Sequence, residues 1–435
     1  MTNTICITNC SVLPHAAAPI LENHYVLIGG SAIADLGPMG SCPDVESSWE
    51  IIDAEGKLLM PGLVNGHNHS AMTLFRGIAD DLALHDWLHG HIFPAEAVHV
   101  NPEMVYWCAK LAGAEMICSG TTCVADGYFF SAEAARAFMD IGLRSVVGHG
   151  VVDFAAPSVP DPTKNIETVD HFIDEWQDSS PLITPAVFAH APYTCSPATL
   201  QKAKRLADTK DVRFFIHLAE SKTELEQIID PRGRSPVKHL QALGLLDSNC
   251  TGIHTIWVDD EDMDILADSG AAIVTCPQSN AKLAAGVAPV HRMFEKKITI
   301  GLGTDGCASN NSLDMFREMD MLAKIQKLSA LDATAMSSSD VLTCATSAGA
   351  AAIGLNGFGR IELGGKADLI LIDIARPHLT PMYNQDLLVY AATGNDVDTS
   401  IINGKLIMHR QKILSFDVDE TLHHVRTIAE ALLPL

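Results

Sequence analysis

Between residues 62 and 306, short apolar runs alternate with amphipathic segments of helix length. GLVNGHNH is followed by MVYWCAKLAGAEMICSG, and TTCVADG is followed by AEAARAFMDIG. The series continues through VRFFIHLAE, CTGIHTIWV and AAIVTCPQSN to KITIGLGTDG. Alternating strand and helix units of this length predict a parallel sheet, and about eight of them predict a (β/α)8 TIM barrel.

Both ends of the chain carry shorter strand-like pieces. Near the start these are ICITNCSVL, HYVLIGG, AIADLG and EIIDAEGKLLM, separated by Gly, Pro and Asn, and near the end they are ADLILIDI and TSIINGKLIM. We expect residues 1–58 and 362–435 to form one small β-sandwich domain built from both termini. The barrel domain is then expected to span residues 59–361.

Composition excludes several classes of partner. The chain has 435 residues, with 29 Lys and Arg against 53 Asp and Glu, and the net charge of -24 argues against binding to nucleic acid or to an anionic membrane. The 11 cysteines form no CxxC pair, as is typical of free thiols in a reducing compartment. No leader-like segment or membrane-length apolar run is present, so we expect a soluble cytoplasmic protein.

His67 and His69 end the first barrel run, GLVNGHNH. Side chains at i and i+2 of a strand point to the same side, so both imidazoles are expected to face the barrel interior at the carboxyl end of the strand. A divalent metal ion satisfies two buried neutral imidazoles most readily. Taken alone, the pair could also be incidental, because the chain has 19 histidines.

Polar residues also end the later apolar runs. They are His190 in VFAHAPYT, His217 and Glu220 in FFIHLAES, His254 in TGIHTIW, and Asp305 in IGLGTDG. Because barrel active sites are assembled from the carboxyl ends of the strands, these residues are predicted to converge with the histidine pair in one site.

These motifs resemble those of a known superfamily. PGLVNGHNHS, HAPYTCS, HLAES, CPQSNAKLA, GTDGCASNN and GGKADLILID resemble the amidohydrolase superfamily, in consecutive order and across essentially the whole chain. HSAMTLFRGIADDLALHDWLHGHIFPAE is particularly similar to the methylthioadenosine/S-adenosylhomocysteine deaminases. The resemblance implies a hydrolytic deaminase that replaces the 6-amino group of 5′-methylthioadenosine or S-adenosylhomocysteine and releases ammonia.

The resemblance also implies a metal site. It makes His67, His69, His217 and Asp305 the ligands of one Zn2+, and nitrogen and oxygen donors suit zinc, although Fe2+ and Mn2+ stay open. Binuclear members of the superfamily carry a carboxylated lysine on the fourth strand. SPLITPAVFAHAPYT contains no lysine, so a single ion is expected.

Three catalytic roles follow from the same resemblance. Glu220 is expected to be the proton shuttle, which takes a proton from the attacking water and delivers it to the ring. His254 is expected to hydrogen-bond that water and stabilise the developing charge. Asp305 is expected to assist the second proton transfer while it binds the metal.

The resemblance places a nucleoside against further residues. Trp87 and Glu96 are expected to hold it, since a carboxylate accepts protons from both hydroxyls of a ribose diol, and His190 and Glu220 are expected to meet the adenine ring. Some relatives carry an arginine for the homocysteine carboxylate after the third strand, where GHGVVDFAAPSVPDPT offers His149 instead. A neutral arm is thus expected to bind more easily, unless a partner subunit of a homo-oligomer supplies a basic residue.

His89 and His91 repeat the spacing of the metal pair, but their surroundings indicate helix or loop, where the two side chains do not share a face. We expect a structural role or a place at the pocket rim for both. Polar residues of CPQSN and ASNN are expected to orient the ligands from behind; these are Ser279, Asn280, Ser309 and Asn310.

Three alternative functions predict different features of the sequence. A triazine hydrolase or a deaminase of another aminated heterocycle would keep the metal set, but its substrate has no diol for Glu96. A non-enzymatic scaffold barrel typically loses metal ligands, and here all four are present. The other zinc deaminase architecture needs a PCxxC pair, which the chain lacks.

Overall fold

Strands from both ends of the chain form one continuous sheet. The computed structural model describes residues 4–432, without the side chains of residues 230–232. The strands from the amino-terminal end are β1 (Thr4–Val12), β2 (Leu21–Gly29), β3 (Ala32–Pro38), β4 (Glu50–Asp53) and β5 (Lys57–Pro61). Those from the carboxyl-terminal end are β14 (Leu369–Asp373), β15 (Val397–Ile402), β16 (Lys405–His409) and β17 (Lys412–Ile413).

The two ends interlock at the centre of this sheet. The order is β17-β16-β15-β14-β5-β1-β2-β3, with β4 paired to β1. β5 runs antiparallel to β14, with Lys57 opposite Asp373 and Pro61 opposite Leu369. Because β5 stays in this sheet up to Pro61, we propose that the boundary with the barrel lies at residue 62.

The central unit is a barrel of parallel strands that pair in sequence order, from β6 to β13. The two ends of this order meet where Asp305 N donates to His67 O at 3.0 Å. The predicted barrel, with a separate sheet built from both termini, is therefore confirmed. The barrel strands are β6 (Leu63–Asn68), β7 (Thr121–Tyr128), β8 (Arg144–Val151), β9 (Ile183–Ala189), β10 (Phe214–Leu218), β11 (Cys250–His254), β12 (Ala272–Thr275) and β13 (Ile300–Leu302).

Helices follow the barrel strands and cover their outer faces. The strands are therefore buried on both faces, which explains their near-continuous apolar sequences. Before β7 lie α1 (Leu84–Trp87), α2 (Phe93–His99) and α3 (Pro102–Cys118), with a π-helix at Leu88–Ile92. Between β7 and β13 lie α4 (Ser131–Ile141), α5 (Asn165–Trp176), α6 (Pro197–Lys210), α7 (Lys222–Arg232), α8 (Pro236–Ala242), α9 (Asp260–Ser269), α10 (Pro277–Lys282) and α11 (Val290–Glu295). The later helices are α12 (Cys307–Asn310), α13 (Met315–Ala330), α14 (Ser338–Cys344), α15 (Ser347–Ala352), α16 (Asp386–Tyr390) and α17 (Val418–Glu430).

A buried ion pair joins the barrel to the terminal sheet. Arg144, on β8, donates to both carboxylate oxygens of Asp368 at 3.1 Å, just before β14. Arg144 also donates to Pro181 O at 2.6 Å, and Asn403 N donates to Asp368 at 3.3 Å. Burial raises the pKa of Asp368, and the guanidinium opposes that shift.

We expect Asp368→Ala to destabilise the protein by about 3–5 kcal/mol, because it leaves a buried guanidinium without its counter-charge. Urea unfolding of the purified variant measures this free energy. The matched control is Asp373→Ala, which removes a carboxylate that pairs with Arg376 at the surface and should cost less than about 1 kcal/mol. Equal losses in the two variants would show that the ion pair does not stabilise the junction.

Candidate metal centre and substrate pocket

Four side chains from three places in the barrel converge at the carboxyl ends of the strands. His67 lies in β6, His69 follows it directly, His217 lies in β10 and Asp305 follows β13. His67 Nε2 lies 3.3 Å from His217 Nε2 and 3.4 Å from Asp305 Oδ1, and His69 Nε2 lies 3.5 Å from the same oxygen. The structure thus brings together all four residues predicted as ligands.

Backbone and side-chain partners fix the direction of two of these ligands. His69 Nδ1 hydrogen-bonds Gly127 O at the end of β7, which directs Nε2 toward Asp305. Asp305 has a φ of 62°, in the left-handed region, and its Oδ2 accepts hydrogen bonds from Ser279 at 2.7 Å and Ser309 at 2.9 Å. Its Oδ1 therefore faces the histidines.

The cluster fits a divalent metal ion. Burial lowers the pKa of His67 to about 3 and lowers that of His217 well below its ordinary value, so both rings are neutral, as metal ligands must be. A hydrogen bond between the facing Nε2 atoms pairs only these two rings, whereas a cation accepts lone pairs from both rings and from Asp305 at once. The ligand atoms of His67, His69 and His217 lie within 4.8 Å of one another, and three imidazoles with one carboxylate form a donor set typical of zinc.

Glu220 and His254 stand beside this cluster. Glu220 Oε1 lies 3.6 Å from His254 Nε2, and His254 Nδ1 lies 2.9 Å from Asn280 Oδ1. Burial raises the pKa of Glu220, which favours a carboxyl group that exchanges protons. Asn280, expected from the sequence to orient the site, thus contacts His254.

A second glutamate, which the sequence analysis missed, holds the backbone of Glu220. Glu224 is 1% exposed, and its carboxyl oxygens accept hydrogen bonds from Ala219 N at 2.9 Å and Glu220 N at 2.8 Å. Ala219 has a φ of 51°, so this loop takes a conformation that needs such support. The only signal in the sequence was a second glutamate four residues after the first.

The cluster forms the floor of a pocket with a cavity volume of about 90 Å3. Trp87, Glu96 and His190 line the pocket together with Glu220 and His254, among apolar side chains such as Leu88 and Phe93. His190 Nδ1 lies 2.9 Å from Thr194 Oγ1, and burial lowers the pKa of His190 to about 4.

Glu96 is a buried carboxyl group with one described side-chain partner. Tyr128, at the end of β7, donates to Glu96 Oε1 at 2.6 Å. Burial raises the pKa of Glu96 to about 7, against the opposing effect of this hydrogen bond. Tyr128 was not predicted, because nothing in TTCVADGY indicates which residue its hydroxyl meets.

His149, expected from the sequence to bind substrate, is not among the residues that line the pocket. It lies in β8, and its ring packs 6.1 Å from that of Phe172 on α5, with Nδ1 3.1 Å from Ser131 Oγ. Its neighbours Gly148 and Gly150 turn to the barrel interior, where a Cβ at Gly148 would meet Phe188 at 2.8 Å. The side chain of His149 therefore points between the barrel wall and its helices.

His89 and His91 are exposed on the π-helix, in a segment that the sequence predicted to be helix or loop. The ring of His89 lies 4.6 Å from that of His85 and 5.3 Å from that of Phe93. No His, Cys, Asp or Glu cluster suited to a metal includes either residue within the described chain. In residues 4–432, none of the helices combines the length and the apolar character that crossing a bilayer requires.

Comparison with known proteins agrees with this geometry. A protein-family model with the description "Amidohydrolase family" matches residues 58–407 of this chain. The 5-methylthioadenosine/S-adenosylhomocysteine deaminase 1 of Syntrophus aciditrophicus (strain SB) is 45% identical over 412 residues, which cover 94% of this chain and 93% of the relative. The corresponding deaminase of Syntrophobacter fumaroxidans (strain DSM 10017 / MPOB) is 43% identical, over 94% of this chain and 93% of the relative.

Solved structures give the same grouping. A zinc-bound adenosine deaminase from Xanthomonas campestris superposes with a TM-score of 0.95 at 34% identity, over 99% of each chain. A triazine hydrolase variant superposes with a TM-score of 0.91 at 20% identity, over 98% of this chain and 99% of the other, a likeness of fold alone. The chain belongs to the amidohydrolase family.

Proposed function

We propose that this protein is a zinc-dependent hydrolytic deaminase of adenine nucleosides, of the type that acts on 5′-methylthioadenosine and S-adenosylhomocysteine. The observation that carries the proposal is Glu220, a buried carboxyl group beside the histidine and aspartate cluster on the floor of a pocket that also holds Glu96. The names of the relatives at 43–45% identity support the substrate class.

One zinc ion would be held by His67, His69, His217 and Asp305. A second ion would need a bridging group such as a modified lysine, and β9 offers none. When bound, zinc supplies Lewis acidity, which lowers the pKa of a water molecule toward neutrality.

The side chains of the chain would move the protons. Glu220 takes a proton from the attacking water and delivers it to N1 of the adenine ring. His254, held by Asn280, directs Nε2 at the same place and stabilises the charge that develops as C6 becomes tetrahedral. Asp305, with Oδ2 fixed by two hydroxyls, assists the second proton transfer through Oδ1 as ammonia leaves.

The remaining pocket residues would bind the nucleoside. His190 meets the far side of the adenine ring, and Trp87, which is buried in the pocket wall, packs against the nucleoside. Glu96 accepts hydrogen bonds from the ribose hydroxyls, with Oε1 already fixed by Tyr128. This carboxylate separates the proposal from a triazine hydrolase, because triazines carry no diol.

We expect Tyr128→Phe to lower kcat/KM for adenine nucleosides by roughly 10- to 100-fold, mainly through KM. The variant removes a hydrogen bond to a charged group, which contributes about 1.5–3 kcal/mol. Steady-state kinetics with adenosine and with its 2′,3′-dideoxy analogue provide the test, because the analogue lacks the diol and its turnover should change little. An equal loss for both nucleosides would exclude the role of Tyr128 in placing Glu96.

The function itself is tested with purified, zinc-loaded protein and four nucleosides: methylthioadenosine, S-adenosylhomocysteine, 5′-deoxyadenosine and adenosine. The shift from adenine to hypoxanthine absorbance measures deamination, and coupled ammonia detection confirms the product. We expect turnover of at least one nucleoside carrying a 5′ modification. No turnover of any of the four would refute the proposal.

A further inference from the structure

A second cavity adjoins the pocket on the side away from the metal cluster. It has a volume of about 650 Å3. The two cavities share an apolar wall formed by Leu84, Leu88, Phe93, Phe154 and Tyr193. A nucleoside whose adenine ring lies over the metal cluster and whose ribose lies at Glu96 would extend its 5′ substituent past this wall. We call this second space the outer cavity.

Two helices begin at the outer cavity, since Ser196 and Ser221 line it and cap α6 and α7. Helix amino termini are ready-made anion sites, because their N–H groups lack partners within the helix. Here a carboxylate of the chain already lies at the start of α6. Asp153 accepts hydrogen bonds from Ser196 N at 2.6 Å and from the Thr199 hydroxyl at 2.7 Å.

Glu224, in the first turn of α7, binds the loop before that helix. It accepts from the two backbone N–H groups that precede the helix, those of Ala219 and Glu220. Asp153 and Glu224 both line the outer cavity. Acidic side chains of the protein thus already hold the N–H groups of Ser196, Ala219 and Glu220 at this side of the cavity.

Positive charge is scarce around the same space. Among the described residues, no lysine or arginine lines either cavity. His85 and His89 also line the outer cavity, and His85 Nδ1 lies 3.6 Å from an Asp86 carboxylate oxygen. A carboxylate that entered the outer cavity would lose water and gain no full counter-charge, which is unfavourable.

Resting on the proposed function, we propose that the outer cavity is the subsite for the 5′ substituent and selects thioether arms that carry no carboxylate. Its substrates would be adenine nucleosides with a neutral alkylthio arm or with an aminoalkylthio arm. An ammonium group would lie near Asp153, whereas the carboxylate of a homocysteine arm would face that aspartate.

Three nucleosides that differ only in the arm test this selection. They are methylthioadenosine, 5′-deoxy-5′-(3-aminopropylthio)adenosine, which is S-adenosylhomocysteine without its carboxylate, and S-adenosylhomocysteine itself. We expect kcat/KM for the first two to agree within about tenfold and kcat/KM for S-adenosylhomocysteine to be at least about tenfold lower, since like charges oppose binding. The difference should lie in KM.

A charge variant makes the test specific to the cavity. Asp153→Asn should reduce the difference in kcat/KM between methylthioadenosine and S-adenosylhomocysteine. It should also lower kcat/KM for the aminopropyl compound relative to that for methylthioadenosine. Asp161→Asn is the matched control, since Asp161 caps an exposed turn outside both cavities, and it should leave the ratios unchanged. Ratios measured on one preparation do not depend on how much of a variant folds.

If S-adenosylhomocysteine is turned over as efficiently as methylthioadenosine, the proposed selection is refuted and the deaminase proposal stands. Ratios that stay unchanged in Asp153→Asn would overturn the role of the outer cavity. Failure of all three compounds and of 5′-deoxyadenosine, which carries no arm, would instead refute the proposed function and the subsite with it.

Discussion

Replacing Glu220 by glutamine is expected to lower kcat by about 10^2- to 10^4-fold, the usual contribution of a general acid or base. The amide keeps the size of the side chain and cannot accept and return a proton. Because Glu220 is not among the four candidate ligands, the bound metal should stay at the wild-type level. Steady-state kinetics together with metal analysis of the same preparation measure both quantities.

The matched control for this prediction is Glu226→Gln. Glu226 lies on α7 and is exposed, so its replacement changes the same charge without touching the pocket. Its kcat should equal that of the wild type. Near-normal turnover by Glu220→Gln would remove Glu220 from the proton transfer.

Replacing His67 by alanine is expected to remove the bound metal and with it the activity. His67 Nε2 lies within 3.4 Å of both His217 Nε2 and Asp305 Oδ1, so its loss opens the centre of the cluster. Replacing a residue that hydrogen-bonds a metal ligand typically reduces metal affinity or activity by about 10- to 100-fold. Loss of a ligand itself should reduce them by more than about 100-fold. Elemental analysis and turnover are the measurements.

His171→Ala is the control for the ligand variant, because His171 is exposed on α5, away from the site. It should keep both the metal and the activity. Circular dichroism of both variants checks that the fold is retained. A His67→Ala protein that binds zinc as tightly as the wild type would contradict the assigned ligand set.

The strand ends were the predictable part of the site. His67, His217 and Asp305 each follow an apolar run, and the barrel geometry brings the ends of such runs together whatever their separation in the chain. The fold class was predictable for the same reason, since the alternation of runs and helices has few other solutions. Both inferences use patterns that the sequence displays locally.

His149 shows why the direction of a side chain was harder to predict. Barrel strands are buried on both faces, so polarity does not reveal which alternate residues point inward. In β8 the interior positions belong to Gly148 and Gly150, and the small size of Gly148 admits Phe188 from β9. The side chain of His149 therefore points to the opposite side of the strand. Only the packing of the neighbouring strand determines this direction.

Tyr128 and Glu224 were missed for a different reason. Tyr128 acts through its hydrogen bond to Glu96, which lies on a helix 32 positions earlier in the chain. Glu224 acts through its hydrogen bonds to the backbone of the preceding loop. Such pairings arise from tertiary packing and leave no periodicity or motif. The sequence predicts which residues carry the chemistry better than it predicts which residues hold them in place.

The most direct test of the central claim is a zinc titration of metal-free protein, with methylthioadenosine turnover and bound zinc measured in each sample. If His67, His69, His217 and Asp305 form one catalytic metal site, hypoxanthine product should increase in proportion to bound zinc and reach its maximum at one ion per chain. Activity that does not depend on zinc, or that needs a second ion per chain, would contradict this account.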